Sequence, residues 1–201
     1  MISHIINEYN DTPSIFYYIP NFMTDLEQKE LLTYLEETKD FRQSPAYNTN
    51  ITRLQKWYNK DEKYFCPLWK ERYPQWESFK IDDTISNIID KVNNYIINIP
   101  NIIIPNINSC LINKYPNGKH HISPHRDSIL SFGEKPTIIG LSLGETRTIF
   151  FENNKNNFSF NLESGSMLIM AGSSQKNYLH SIKKSDSRNV RYSLTLREFI
   201  L

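Results

Sequence analysis

Apolar residues recur at helical spacing in two places within the first hundred residues. Thr24 followed by Glu27 forms a capping-box pattern, and Leu26, Leu31, Leu32 and Leu35 behind it predict a helix over about 25–38. Ile81, Ile85, Ile88, Ile89, Val92, Ile96 and Ile99 share one face and predict a second helix over about 82–98, which Pro100 ends. Beyond residue 108 the period changes. Runs at 110–115, 121–123, 137–143, 146–152, 157–161, 166–170, 178–182 and 190–199 are β-branched or alternating and predict eight strands. All six glycines lie between 118 and 172, where tight turns between such strands need them. Helices followed by short strands exclude a parallel βαβ sheet; they predict an α+β chain whose strands form a sandwich, barrel or jelly roll. His4 is assigned to a loose terminus.

Length and composition narrow this little. At 201 residues with 39% hydrophobic and 13% aromatic content, the chain is one globular domain rather than a disordered segment. Its net charge of +1 names no partner. Cys66 and Cys110 are too few for a disulfide framework and are expected as buried free thiols in a reducing compartment. The most apolar stretch, 96–107, is broken by Pro100 and Pro105, so no membrane span is expected, and an intracellular, unsecreted monomer is the expectation.

Chemistry concentrates in the strand-rich half. His125-Arg126-Asp127 is a His-x-Asp on a strand-to-loop boundary; alone it is as well explained by a surface histidine beside an acid. His180, on a later strand, changes that reading. Two histidines and one carboxylate make the facial triad of non-haem iron sites, and alternate residues of an extended segment can reach one ion. On the last strand Arg191, Ser193, Thr195 and Arg197 alternate onto one face. Two inward cations are costly unless paired, and a dicarboxylate held by guanidinium groups would pair both. Asn113 and Tyr115 share a face and could donate to the same carboxylates.

Together these pieces resemble the AlkB family of Fe(II)- and 2-oxoglutarate-dependent dioxygenases. The matching elements are Asn113-x-Tyr115, His125-x-Asp127, Leu141-Ser142-Leu143-Gly144 with Arg147, Gly165 with Leu168 and Met170, Gln175, His180, and Arg191-x-Ser193-x-Thr195-x-Arg197. Arg53-Leu54-Gln55-Lys56-Trp57-Tyr58 resembles the element preceding the nucleotide-recognition lid of members that repair nucleic acid. The resemblance implies a double-stranded β-helix (jelly-roll) core over 101–201, with N-terminal helices and a lid over 1–100. It implies Fe(II) on His125, Asp127 and His180, and 2-oxoglutarate on Asn113, Tyr115, Arg191, Ser193 and Arg197, with O₂ as second cosubstrate. The implied reaction is oxidative demethylation of N-alkylated bases in DNA or RNA, on a single strand or a flipped-out base. Arg53, Trp57, Tyr58, Tyr64 and Arg147 are the expected substrate contacts.

Two further features bear on substrate. Residues 51–80 hold all three tryptophans and seven Lys/Arg against four acids, a composition suited to stacking bases and neutralising phosphates, although aromatic core with a solvated charged face has the same composition. Lys176, Lys183, Lys184 and Arg188 form a second basic cluster. Repair members of the family usually carry acids just after the His-x-Asp aspartate; here stand Ser128, Ile129 and Leu130. That departure leaves room for a protein or small-molecule hydroxylase with the same cofactors. A metal-free jelly-roll binding module fits an intact triad and both arginines less well.

Overall fold

The computed structural model describes residues 1–7, 11–43, 52–61, 63–64 and 69–201; Cys66 and part of the expected lid lie outside them. The N-terminal half holds β1 (Ile2–Ile6), β2 (Ser14–Ile19), α1 (Asp25–Glu37), β3 (Arg42–Gln43), β4 (Leu54–Asn59), α2 (Trp69–Arg72), a 3-10 turn (Pro74–Trp76), β5 (Phe79–Lys80) and α3 (Asp83–Ile96). The second half holds β6 (Ser109–Tyr115), β7 (Ile122–His125), α4 (Ile129–Phe132), β8 (Ile138–Gly144), β9 (Arg147–Glu152), β10 (Asn157–Leu162), β11 (Met167–Gly172), α5 (Ser174–Asn177), β12 (Leu179–Ile182) and β13 (Arg191–Arg197). Among the described residues no helix is long and apolar enough to cross a membrane.

Both long helices start where the sequence caps them. The Thr24 hydroxyl accepts from the Glu27 amide, while the Glu27 carboxylate accepts from the Thr24 amide at 2.7 Å. Asp82 caps α3, accepting from the Ile85 amide at 3.0 Å. The apolar stripe Ile85, Ile89, Val92 and Ile96 of α3 then packs with Leu31 and Leu35 of α1 on one face of a large sheet.

The strands form two sheets. The major one runs β1-β2-β11-β8-β13-β6-β4-β3, with β5 parallel to β4 at its side, and the minor one runs β10-β9-β12-β7. Every pairing except β4 with β5 is antiparallel. Period-2 alternation gives the major sheet two faces. Tyr192, Leu194 and Leu196 of β13, with Ile139, Leu141 and Leu143 of β8, face the helices. The opposite face looks toward the minor sheet, where Phe16, Ile138 and Leu168 pack against Ile149, Phe151 and Phe160. This is the two-sheet jelly roll that the family resemblance implies, one of the three architectures the strand pattern leaves open. Gly144 ends β8 at the turn into β9, from one sheet to the other. Its φ is +81° and an added Cβ would lie 2.5 Å from the Val190 carbonyl oxygen, so the turn requires glycine.

The N-terminal hundred residues are more than helices and a lid. They supply β1, β2 and β4 to the major sheet. Ser14–Ile19 is buried at all six positions, between the helices on one side and the minor sheet on the other, so it shows no alternation to mark it as a strand. His4 is not in a loose terminus: it lies on β1 opposite Phe16 and stacks on Phe158 at 4.8 Å.

Candidate active site

The space between the sheets opens into a cavity of about 360 Å³ lined by both of them. At one end stand His125, Asp127 and His180. His125 and His180 face each other directly across β7 and β12, with ring centroids 4.1 Å apart. β7 is an edge strand, which is why Pro124 can sit within it. Asp127 follows two residues beyond the strand end and returns to the same side; its Oδ1 lies 3.6 Å from His125 Nε2 and 3.8 Å from His180 Nε2. The ligand atoms of all three fall within 4.8 Å of one another, a donor set able to hold a divalent metal.

Protonation states suit that use. Burial, with a smaller push from His125, drives His180 down to about 3, so its imidazole is neutral. Burial works to raise Asp127, but Arg197, with a smaller contribution from His125, outweighs it and holds the carboxyl well below the usual carboxylate range. His125 Nδ1 sits 3.0 Å from the Ser123 carbonyl; donation there leaves Nε2 to face Asp127. Arg197 Nε lies 3.3 Å from Asp127 Oδ2, and its guanidinium covers the Phe132 ring at 4.4 Å. The Gln175 carboxamide on α5 accepts from the Asp127 amide at 3.0 Å. Replacing Gln175 by leucine should weaken metal binding about 10- to 100-fold by freeing the backbone that carries Asp127. A metal titration of that variant that matches the original protein would remove the role.

Arg191 marks the other end of the β13 cation face. Its Cα lies about 20 Å from that of Arg197 along the strand, and both heads turn into the cavity they line. Arg191 is 1% exposed. Its Nη2 donates to Ser142 Oγ at 3.0 Å and its guanidinium lies 5.0 Å from the Tyr115 ring centre, while Nε and Nη1 are buried without a hydrogen-bond partner. A buried guanidinium that lines a cavity and keeps donors unused by the protein is suited to binding a carboxylate. A metal-binding donor set and a carboxylate receptor lining one cavity are the two anchors that a dicarboxylate such as 2-oxoglutarate needs.

The expected site residues divide as follows. His125, Asp127, His180, Asn113, Tyr115, Arg191, Ser193, Arg197, Arg53 and Trp57 all line the cavity. Tyr58 does not: alternation on β4 turns it to the helix side, where it is buried in the core with its hydroxyl 3.1 Å from that of Tyr34. Tyr64 bridges to Glu77 outside the cavity lining, its hydroxyl donating to the Pro74 carbonyl at 3.3 Å. The Arg147 guanidinium donates to the backbone carbonyls of His120 and Lys183 and is occupied there. Gln55, Ser142 and Trp76 also line the cavity; the sequence places them within matching motifs or the aromatic segment but does not mark them as site residues. Reading Arg53, Gln55 and Trp57 as alternate residues of one strand would have found Gln55 and excluded Tyr58. Of the three residues after Asp127 only Ser128 lines the cavity; Ile129 and Leu130 are 56% and 74% exposed.

Comparison with known proteins agrees with this geometry. Human alpha-ketoglutarate-dependent dioxygenase alkB homolog 3 is 28% identical over 196 residues, covering 89% of this chain and 64% of that protein. The Bos taurus homolog 3 is 26% identical over the same shares. The chain thus spans about 64% of the length of these curated relatives. Among solved structures, that of OsALKBH1 superposes with a TM-score of 0.63 at 15% identity, covering 91% of this chain and 97% of that one. A Trichoplax adhaerens prolyl hydroxylase superposes at 0.58 with 17% identity, covering 92% and 83%. The model of the 2OG-Fe(II) oxygenase superfamily matches residues 15–197. This chain therefore belongs to the 2OG-Fe(II) oxygenase superfamily, oxidoreductases that use iron(II), 2-oxoglutarate and dioxygen.

Proposed function

We propose that the protein oxidatively removes N-methyl groups from nucleobases of single-stranded or locally opened DNA or RNA. The observation that carries this is the cavity lining: Trp57, Trp76, Arg53 and Arg126 line the same cavity as the triad. Indole faces stack on an extruded base at about 1–3 kcal/mol each, and arginines neutralise the phosphates flanking it. The similarity to alkB homolog 3 points the same way.

His125, Asp127 and His180 would hold iron(II), which would supply the oxidation: O₂ and 2-oxoglutarate would be consumed, the methyl group hydroxylated and lost as formaldehyde, with succinate and CO₂ released. The chain's own residues do the positioning. Arg191, with Ser142 behind it, takes the far carboxylate of 2-oxoglutarate; Asn113, Tyr115 and Ser193 flank its length. Arg197 holds the ionised Asp127 in place. The apolar side of the cavity, from Leu168, Met170 and Ile182, keeps water out.

Among the described residues no carboxylate other than Asp127 lines the cavity. A carboxylate about 4 Å from a cationic ring would be worth about 4 kcal/mol at an effective dielectric constant of about 20. Without one, single strands carrying cationic 1-methyladenine, cationic 3-methylcytosine or neutral 3-methylthymine should turn over within about tenfold of one another, all more slowly at higher salt. Formaldehyde and succinate release with this panel at two salt concentrations is the test. No turnover of any of the three, with 2-oxoglutarate decarboxylation intact, would transfer the assignment to a protein or small-molecule hydroxylase.

A further inference from the structure

We infer that Gln55, on the N-terminal strand β4, is a positioning residue for the 2-oxoglutarate site, acting through the Asn113 carboxamide; this rests on the reading that the cavity holds 2-oxoglutarate. A carboxamide can present either its oxygen or its NH₂ to a ligand, and its neighbours decide which. Here two donors decide. Arg53 Nε donates to Asn113 Oδ1 at 2.8 Å, and Gln55 Nε2 donates to the same oxygen at 2.9 Å. A guanidinium has no acceptor, so the Asn113 oxygen is committed to β4 and its NH₂ is the group left for the cavity.

The register explains why β4 can do this. Gln55 lies opposite Asn113, Asn113 opposite Ser193, and Ser193 opposite Ser142. These four residues form one polar row across β4, β6, β13 and β8, all of them lining the cavity, and the row ends on the hydroxyl that receives Arg191. Gln55 and Asn113 are each 7% exposed, so their bond is shielded from competing water. A buried glutamine whose amide is spent on a neighbouring amide contributes orientation: Asn113 offers a donor, not an acceptor, to an anionic cosubstrate.

The test is anaerobic titration of 2-oxoglutarate into the metal-loaded protein. Gln55→Glu places an acceptor against Asn113 Oδ1, which draws the NH₂ away from the cavity; 2-oxoglutarate binding should weaken about tenfold. Gln55→Met removes one donor and leaves Arg53 holding the oxygen, so the loss should stay under about threefold. Metal affinity should be unchanged in both. In an Asn113→Ala background Gln55→Glu should add less than about twofold, because its effect passes through the missing amide. The full tenfold penalty persisting there would mean direct repulsion of the dianion and would overturn the inference. So would a Gln55→Met loss larger than that of Gln55→Glu, the order that lost packing would give. If the original protein itself binds no 2-oxoglutarate, the cosubstrate reading falls and this inference with it.

Discussion

Replacing Arg191 by methionine is expected to weaken 2-oxoglutarate binding about 10- to 150-fold, and to leave the unliganded protein at least as stable as before. The two effects have one origin. Arg191 is fully buried, one of its nitrogens reaches Ser142, and Nε and Nη1 have no hydrogen-bond partner. Burial lowers its affinity for the proton below the ordinary guanidinium value, the sign of a cation kept in an unfavourable place. A carboxylate arriving from the ligand relieves that cost through charge-assisted bonds, each worth about 1.5–3 kcal/mol. Methionine fills similar volume without a charge, so the cost disappears along with the binding energy. Thermal melts separate the two effects. At a 2-oxoglutarate concentration of about 100 times the dissociation constant, ligand stabilises the original protein by about 2.7 kcal/mol. For a chain of this size that is about 5–10 °C of Tm. At the same ligand concentration the variant should keep only about 0.3–1.4 kcal/mol of that stabilisation, a shift of about 1–6 °C, with an unliganded Tm equal to or above the original. Retention of the full ligand shift would mean that Arg191 is structural.

Where the sequence was informative, local chemistry dictated structure. The Thr24–Glu27 box and the isoleucine stripe of α3 placed both long helices to within two residues of their ends. His125-x-Asp127 and the alternation of Arg191 to Arg197 needed only the strand period to place their side chains on one face. What the sequence hid was burial on both sides. β2 carries Phe16 and Tyr18 toward the minor sheet and Ile15, Tyr17 and Ile19 toward the helices, so every position is apolar or small and the strand period vanishes. β4 was obscured differently. Its aromatic and basic residues suggested an irregular lid, yet alternation divides them: Gln55 and Trp57 face the cavity, Tyr58 the helix-side core. The lid resemblance and the segment's composition assigned Tyr58 to substrate, and neither of them carries direction. The cross-sheet row from Gln55 to Ser142 was invisible for a different reason: its members lie on four strands whose pairing no single segment specifies.

The two kinds of triad ligand should fail differently when replaced. Asp127→Asn and His180→Gln should each reduce metal affinity by more than about 100-fold, since loss of an outer-shell partner alone costs about 10- to 100-fold. In chelator-treated protein, however, their stabilities should diverge. Asp127 is the anion beside Arg197, which is buried and 3.3 Å away. An amide in its place removes the negative charge that Asp127 sets against that buried guanidinium, and breaking such a buried pair costs about 3–5 kcal/mol. At about 2–4 °C per kcal/mol, Tm should fall by about 6–20 °C. His180 is neutral when metal-free, because burial suppresses its protonation, and its Nδ1 has no partner. Glutamine there removes neither a charge pair nor a bonded donor, so its Tm should stay within about 4 °C, the range of a 1 kcal/mol change. Thermal melts of both variants in chelator, beside a metal titration of each, make the comparison. An equal fall in Tm would show that the Asp127–Arg197 pair does not hold this end of the cavity together. A divergence would mean that one carboxylate serves two purposes, ligating the metal and neutralising the cation that the last strand buries next to it.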